Sequence, residues 1–337
     1  MVGIRLDKAG LVALVMSAFR LSGWQPLILA DGSPSPLYLM KDDTTPIEAW
    51  LYIWNLTEGG RNASRPRERR IQATGIGDTF KISSQRRTLI LGWSAEFNVF
   101  AAFDHRYHHR TFGSSPSLQI DSDALESAAR NGIGVHGKTT GELALGIRPD
   151  MLGVYVEQMR ILHSAGTNRD ERDLLERMAI DPIRVTPTEV AAQVPAHRRR
   201  VMTHTLRLLR NRRFGENVLS AYEHRCAFCD IQLNLLDAAH ILPVAHPFSS
   251  DLVINGVALC ALHHRAYDNA LITFDANYSI NLSNSAISHL KEEKRTDGFA
   301  AFKAGLRSTL HLPTSAANHP STEMIVRANQ LRGWFLA

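Results

Sequence analysis

Residues 226–268 read CAFCDIQLNLLDAAHILPVAHPFSSDLVINGVALCALHHRAYD. All three cysteines of the 337-residue chain fall inside this stretch, as Cys226, Cys229 and Cys260. The pattern Cys226-x2-Cys229 … Cys260-x2-His263 sets two short knuckles against each other, carrying three soft thiolates and one imidazole. Those are the donors and the spacing of a tetrahedral structural zinc site. A second set is interleaved with it: His240, Asn255 and His264, with Asp268 one turn after His264 on the same helical face. Cysteines at metal-ligand spacing point to a reducing compartment, where thiols stay available, and hence to a cytoplasmic protein.

The order His–Asn–His within a zinc-clamped segment resembles the HNH nuclease motif. Ala239-His240-Ile241-Leu242-Pro243 is similar to that family's first-strand element, Asn255-Gly256-Val257-Ala258-Leu259-Cys260 to its second, and Cys260-Ala261-Leu262-His263-His264 to its Cys-x-x-Cys-His ending, with His263 in place of the second cysteine. The resemblance implies a zinc-stabilised ββα-metal domain that hydrolyses DNA phosphodiesters. In it His240 is the general base, Asn255 holds the loop between the strands, and His264 binds a catalytic divalent ion, Mg²⁺ or Mn²⁺, with Asp268 as a second ligand. The structural Zn²⁺ would rest on Cys226, Cys229, Cys260 and His263, although spacing alone allows His263 and His264 to exchange roles. One position departs from the family. The residue before the base, usually a metal ligand, is Ala239. Asp237 lies on the same side of the strand and reaches the ion directly or through water, or else the ion rests on His264 and Asp268 alone. The resemblance extends to a lead-in helix (Arg213-Phe214 … Ala221-Tyr222), to Tyr267–Ile272 and to the tail motifs His311-Leu312-Pro313 and His319-Pro320. It covers roughly 205–337 and is silent on the rest.

Hydrophobic residues at 44% and charged residues at 21% describe a globular chain long enough for two domains. No run approaches 18 apolar residues, so no membrane span is expected. The net charge of +5 leans mildly towards a polyanion, but its distribution says more. Arg198, Arg199, Arg200, Arg207, Arg210, Arg212 and Arg213 form a block without an acid, read as a helix whose arginines contact phosphate or else form a solvated face. A second basic stretch, Glu58–Arg70, holds Arg61 and Arg65 among its five arginines and reads as a loop that contacts DNA or simply faces solvent.

The first 166 residues alternate helical and strand-like signals: a helix over 4–22, strands near 49–56, 69–75, 88–93 and 97–103, a helix from Asp121 or Ser122 to Arg130, and another over 151–164 capped by Asp150. This predicts an α+β domain with a mainly antiparallel sheet over 1–166. A charged, proline-bearing linker over 167–197 follows, and then a basic helix plus nuclease domain over 198–337. Trp24, Trp50, Trp54 and Trp93 lie in the first domain, either as core or as an aromatic pocket for a flipped base. His105, His108 and His109 cluster as a polar loop or a further metal site. The expected function is a metal-dependent endonuclease of restriction or defence type acting on double-stranded DNA. Its N-terminal domain would recognise sequence or modified bases, and two chains would assemble for a double-strand cut. The rivals are an effector-activated nuclease and a non-catalytic zinc-dependent DNA-binding regulator.

Overall fold

Helix α1 (Lys8–Leu21) begins where the Asp7 side chain accepts the backbone N–H of Gly10 at 2.8 Å. It buries Leu11, Val15, Ala18 and Phe19, a stripe at helical spacing. The chain then builds β1 (Gln25–Ile28), β2 (Ser35–Met40), β3 (Ile47–Asn55), β4 (Thr57–Glu58), β5 (Glu68–Gln72), β6 (Arg87–Ser94), β7 (Val99–Phe103), β8 (Ser117–Asp121), α2 (Ser122–Asn131), β9 (Ile133–Gly137) and β10 (Leu143–Ile147). These are followed by α3 (Leu152–Ser164), α4 (Arg169–Ile180), α5 (Pro187–Gln193) and α6 (Ala196–Ala221). The computed structural model describes residues 5–41, 44–59, 64–109 and 116–334, and the chain divides into two units, Met1–Leu209 and Arg210–Ala337.

The first unit is organised by a seven-stranded sheet in the order β1-β2-β3-β6-β7-β10-β9. Only the β3–β6 pair is parallel, and every other neighbour runs antiparallel. Its central strands are buried on both faces, and side chains divide between two cores with the period-two alternation of a strand. Leu89, Leu91, Phe100 and Ala102 enter the core shared with α1 and α3, while Ile90, Val99, Ala101 and Phe103 enter the core shared with β8 and α2. The smaller sheet, β4-β5-β8, contributes to the second of these through Ile71, Leu118 and Ile120. Helix α2 lies hard against the large sheet. A Cβ on Gly134 would stand 1.8 Å from the Ala124 carbonyl oxygen, so only glycine permits that approach.

Two expectations differ from this arrangement. Asp150 does not cap α3, which starts after a 3-10 turn, and its carboxylate instead meets Arg148 at 2.9 Å. Residues 167–197, read as a linker, are helical and packed. Asn168 caps α4 and Thr186 caps α5, and Leu174, Leu175, Met178, Ala179, Val190 and Val194 join the core of the first unit. Most of the charges that suggested a connector stay accessible on α4, but Glu171 is buried, and the apolar residues of the helix recur at 174, 175, 178 and 179. Of the α6 residues, Met202, Leu206 and Leu209 belong to the core of the first unit and Phe214, Val218 and Tyr222 to that of the second.

In the second unit β11 (Leu236–His240) pairs antiparallel with β12 (Gly256–Cys260), from Leu236 opposite Cys260 to His240 opposite Gly256. Helix α7 (Ala261–Asp268) follows at once, completing a ββα unit. The pair β13 (Ile272–Phe274) and β14 (Ile280–Leu282), then α8 (Asn284–Glu292), α9 (Phe299–Ala304) and α10 (Thr322–Leu331), complete the unit. Arg307 and His311 donate backbone N–H groups to the carbonyls of Phe228 and Ala227, each at 2.9 Å, so the tail straps the first cysteine knuckle. Among the described residues no helix is long and apolar enough to cross a membrane.

Candidate active site and metal clamp

The donor atoms of Cys226, Cys229, Cys260 and His263 lie within 4.8 Å of one another. The Cys229 and Cys260 sulfurs are 3.9 Å apart, and His263 Nδ1 stands 3.5 Å from the Cys226 sulfur and 3.3 Å from that of Cys260. A tetrahedral zinc with bonds of about 2.3 Å to sulfur and about 2.0 Å to nitrogen separates its ligands by roughly 3.5–3.8 Å. The cluster therefore has the size of that ion's first shell, and Nδ1 is the imidazole nitrogen turned inward. Cys226, Cys260 and His263 are buried. Burial pushes the Cys226 thiol up and that of Cys229 up to about 12. A Cys3His cluster of this geometry is consistent with structural zinc.

His240 closes β11, and its ring is fixed from two directions. Phe214 stacks on one face with centroids 3.7 Å apart and planes 14° from parallel. In the ring plane, Nε2 meets Asp251 Oδ1 at 3.2 Å, leaving Nδ1 without a partner among the described residues. The Asp251 carboxyl lies below its ordinary value because it accepts a hydrogen bond from His240. The charges of His240 and Arg210 act the same way, against partial burial. Asp251 was not singled out in the sequence, and Phe214 figured there only as part of the lead-in helix. Asp251 belongs to no short motif, and its only signal is an acid at the far end of the loop that follows His240.

Asn255 is fully buried and makes the hydrogen bonds that shape this loop. Its Oδ1 accepts the Leu242 N–H at 2.8 Å, and its Nδ2 donates to the Leu242 carbonyl at 3.1 Å, Ser249 Oγ at 3.1 Å and the Ser250 carbonyl at 2.9 Å. Asn255→Ala would strand the Leu242 N–H and the loop carbonyls in the interior. At about 1–3 kcal/mol for each buried group left unpaired, a loss of about 2–4 kcal/mol is expected in urea unfolding. An unmoved transition would show that water replaces the amide at no cost.

His264 sits between two carboxylates. Asp237 Oδ2 lies 3.2 Å from its Nδ1 and Asp268 Oδ2 lies 3.6 Å from its Nε2. Asp237 and Asp268 are both exposed, on opposite nitrogens of one ring, so they do not converge as the Cys3His donors do. Among the described residues, the Cys3His set is the one group of three or more donors gathered within that distance. His264 with one carboxylate nonetheless offers the nitrogen-and-oxygen start of a site for a hard divalent ion that keeps its waters. His105, His108 and His109 do not converge either. His108 pairs with Glu142 at 2.9 Å, beside Lys138, and His109 bonds the Arg106 carbonyl.

The arginine block is not one surface. Arg198 is 13% exposed and pairs at 2.6 Å with Glu171, itself 1% exposed, while bonding Ser164 as well. It is therefore a buried ion pair of the first unit and not an available phosphate contact. Arg199 bonds the Val194 carbonyl, and Arg212 pairs with Glu216 at 3.2 Å. Arg200 and Arg207 are exposed, with no partner among the described residues, whereas Arg210 and Arg213 are half-buried and engaged. In the second stretch Arg61 lies outside the described residues, and Arg65 pairs with Glu68 at 3.3 Å. Trp24 and Trp93 are core residues. Trp50 and Trp54 are half-buried, with Arg86 over the first and Lys8 over the second.

A family model described as HNH endonuclease matches residues 226–275, and one described as Methylase-associated X1 matches residues 47–156. No curated protein matches the chain. Among solved structures the chain is similar to one titled "Modification dependent TagI restriction endonuclease", at 9% identity and a TM-score of 0.29, over 82% of this chain and 77% of that one. Residues 226–275 are an HNH endonuclease domain.

Proposed function

We propose that this protein is a metal-dependent endonuclease of restriction or defence type that cuts double-stranded DNA, with His240 as its general base. The observation that carries the reading is His240 itself, a stacked imidazole bonded on one nitrogen and open on the other, at the end of the first strand of an HNH domain. A neutral imidazole takes a proton from water near pH 7. As the water oxygen bonds to phosphorus, its proton passes to His240 and the phosphorus–oxygen bond to the 3′ leaving group breaks. That oxygen departs with the bonding pair and is then protonated from solvent. His264, with Asp237 or Asp268, would hold a divalent ion that polarises the phosphate and neutralises the departing oxygen. Asn255 keeps the loop around the base in shape, and the Cys3His clamp holds the hairpin to the helix.

The first unit is then the part that decides which DNA is cut, because phosphate contacts position a protein without reading sequence. The methylase-associated match over 47–156 supports a role tied to DNA modification. One HNH domain per chain makes a double-strand cut the work of two chains. The test is incubation of the purified protein with unmodified and base-modified plasmid, with and without Mg²⁺ or Mn²⁺. Nicking or linearisation that requires the ion, on one class of DNA, is the expected result. No cleavage of any DNA under these conditions would favour the effector-activated alternative or a non-catalytic role.

Arg200 and Arg207 are the arginines of α6 best placed to meet phosphate. Their joint replacement by glutamine should weaken binding to all DNAs alike and lower the slope of log affinity against log salt by about one unit per lost contact. Arg198→Gln should act differently. It leaves Glu171 buried and unpaired, a loss of about 3–5 kcal/mol of stability with little change in salt slope. An unchanged slope in the Arg200/Arg207 variant would remove that face of α6 from the DNA interface.

A further inference from the structure

Asp251 stands eleven residues after His240, where the loop that leaves β11 turns back towards β12. The loop is held there by Asn255, which bonds Ser249 and Ser250, the two residues before Asp251. Asn255 thereby fixes the place from which Asp251 reaches His240 Nε2. An ionised carboxylate only accepts hydrogen bonds, so a neutral imidazole facing it carries its proton on Nε2 and its lone pair on Nδ1.

We propose that Asp251 is the positioning residue of the nuclease site: it holds neutral His240 in the Nε2–H tautomer, with Nδ1 presented to the attacking water. The proposal rests on the reading of His240 as general base. During attack the water proton moves to Nδ1 while the water oxygen bonds to phosphorus and the 3′ oxygen leaves. The imidazolium so formed keeps its Nε2 proton, and Asp251 stays ionised, facing the new positive charge. Phe214 blocks rotation of the ring out of this plane. Arg210 adds positive field at Asp251, which favours the ionised carboxylate that the arrangement needs. Asp251 meets neither DNA nor the catalytic ion in this scheme and acts through His240.

The test uses full-length, zinc-loaded protein carrying Asp251→Ala, Asp251→Asn, Asp251→Glu or His240→Ala, assayed for single-turnover plasmid cleavage with Mn²⁺. Asp251→Ala should slow cleavage at saturating enzyme by about 10- to 100-fold, with DNA affinity unchanged. Asp251→Asn, of the same size, should be at least as slow, because its amide N–H can donate to Nε2 and favour the opposite tautomer. Asp251→Glu should restore part of the rate. Long-range ¹H–¹⁵N spectra of histidine-labelled protein, with the His240 signal identified by its loss in His240→Ala, should show protonated Nε2 in the parent protein and a mixed or inverted pattern in the Ala and Asn variants. If both variants cut at the parent rate, or leave the tautomer unchanged, the positioning role is overturned. With His240→Ala inactive in the same experiment, that failure belongs to Asp251 alone. Were His240→Ala to cut at the parent rate, the base assignment would fall and this inference with it.

Discussion

His240→Ala is expected to slow DNA cleavage by about 10²–10⁴-fold, the usual worth of a general base. DNA affinity, zinc content and the unfolding transition should stay close to those of the parent protein. The contrast follows from where the side chain sits. It ends a strand, is no member of the Cys3His cluster, and its ring is held by the stack on Phe214 and the hydrogen bond to Asp251 rather than by a metal. Its loss removes a proton acceptor and leaves the backbone pairing of His240 with Gly256 in place. Asn255→Ala should show the converse pattern, with stability lost first and activity lost as a consequence. Cleavage rates measured beside urea unfolding for the two variants separate the roles. A His240→Ala protein that cuts at the parent rate would move the base to another group.

Why the sequence announced the second unit so much more fully than the first is a matter of spacing. Metal ligands must sit at short, fixed intervals, so Cys226, Cys229, Cys260 and His263 are readable before any fold is known, and the hairpin and helix follow from the loops they close. Asp237 and Asp268 were within reach of the same logic because both are tied locally to β11 or α7. Asp251 and Phe214 were not. The first meets His240 across an irregular loop and the second comes from a helix ahead of the zinc knuckle, so neither contact has a sequence period. In the first unit β3, β5, β6 and β7 were legible from β-branched and aromatic runs, whereas β1, β2, β4, β8, β9 and β10 were not. Which strands pair was not, because one parallel contact, β3 with β6, sits within an antiparallel order. The packing of residues 167–197 was hidden for a similar reason. Arg198 and the charges of α4 look like solvent-facing residues until Glu171, on α4, is found buried against Arg198. A charge run cannot reveal by itself that one of its members has an interior partner.

Cys226→Ser should release the zinc, unfold the second unit and abolish cleavage, whereas a fault confined to the active site would leave the fold intact. The segment from Glu223 to Leu235 forms no helix or strand, and it holds Glu223, His224, Asp230, Leu233 and Asn234 in the left-handed backbone region that residues other than glycine rarely occupy. Such a knuckle is locally unfavourable. What holds it are the hydrogen bonds from Cys226 N–H to the Ile231 carbonyl and from Asp230 N–H to the Cys226 carbonyl, each 2.9 Å, and the tail strap, to which a zinc on the Cys3His cluster would add a shared ion. Cys226 and Cys260 also belong to the core around Phe228 and Tyr267, so losing the ion leaves buried polar sulfurs and an imidazole in an apolar setting. Zinc binding in small domains of this kind is worth roughly 10–16 kcal/mol, most of it folding energy. Loss of the ion, the expected consequence of removing one of its four ligands, is therefore comparable to the whole stability of a unit of this size, about 5–15 kcal/mol. Metal analysis of the parent protein should find one zinc per chain, and circular dichroism of Cys226→Ser should show helix and strand content consistent with the first unit alone. A folded, active variant without zinc would mean that the sulfur cluster is a packed core and not a clamp.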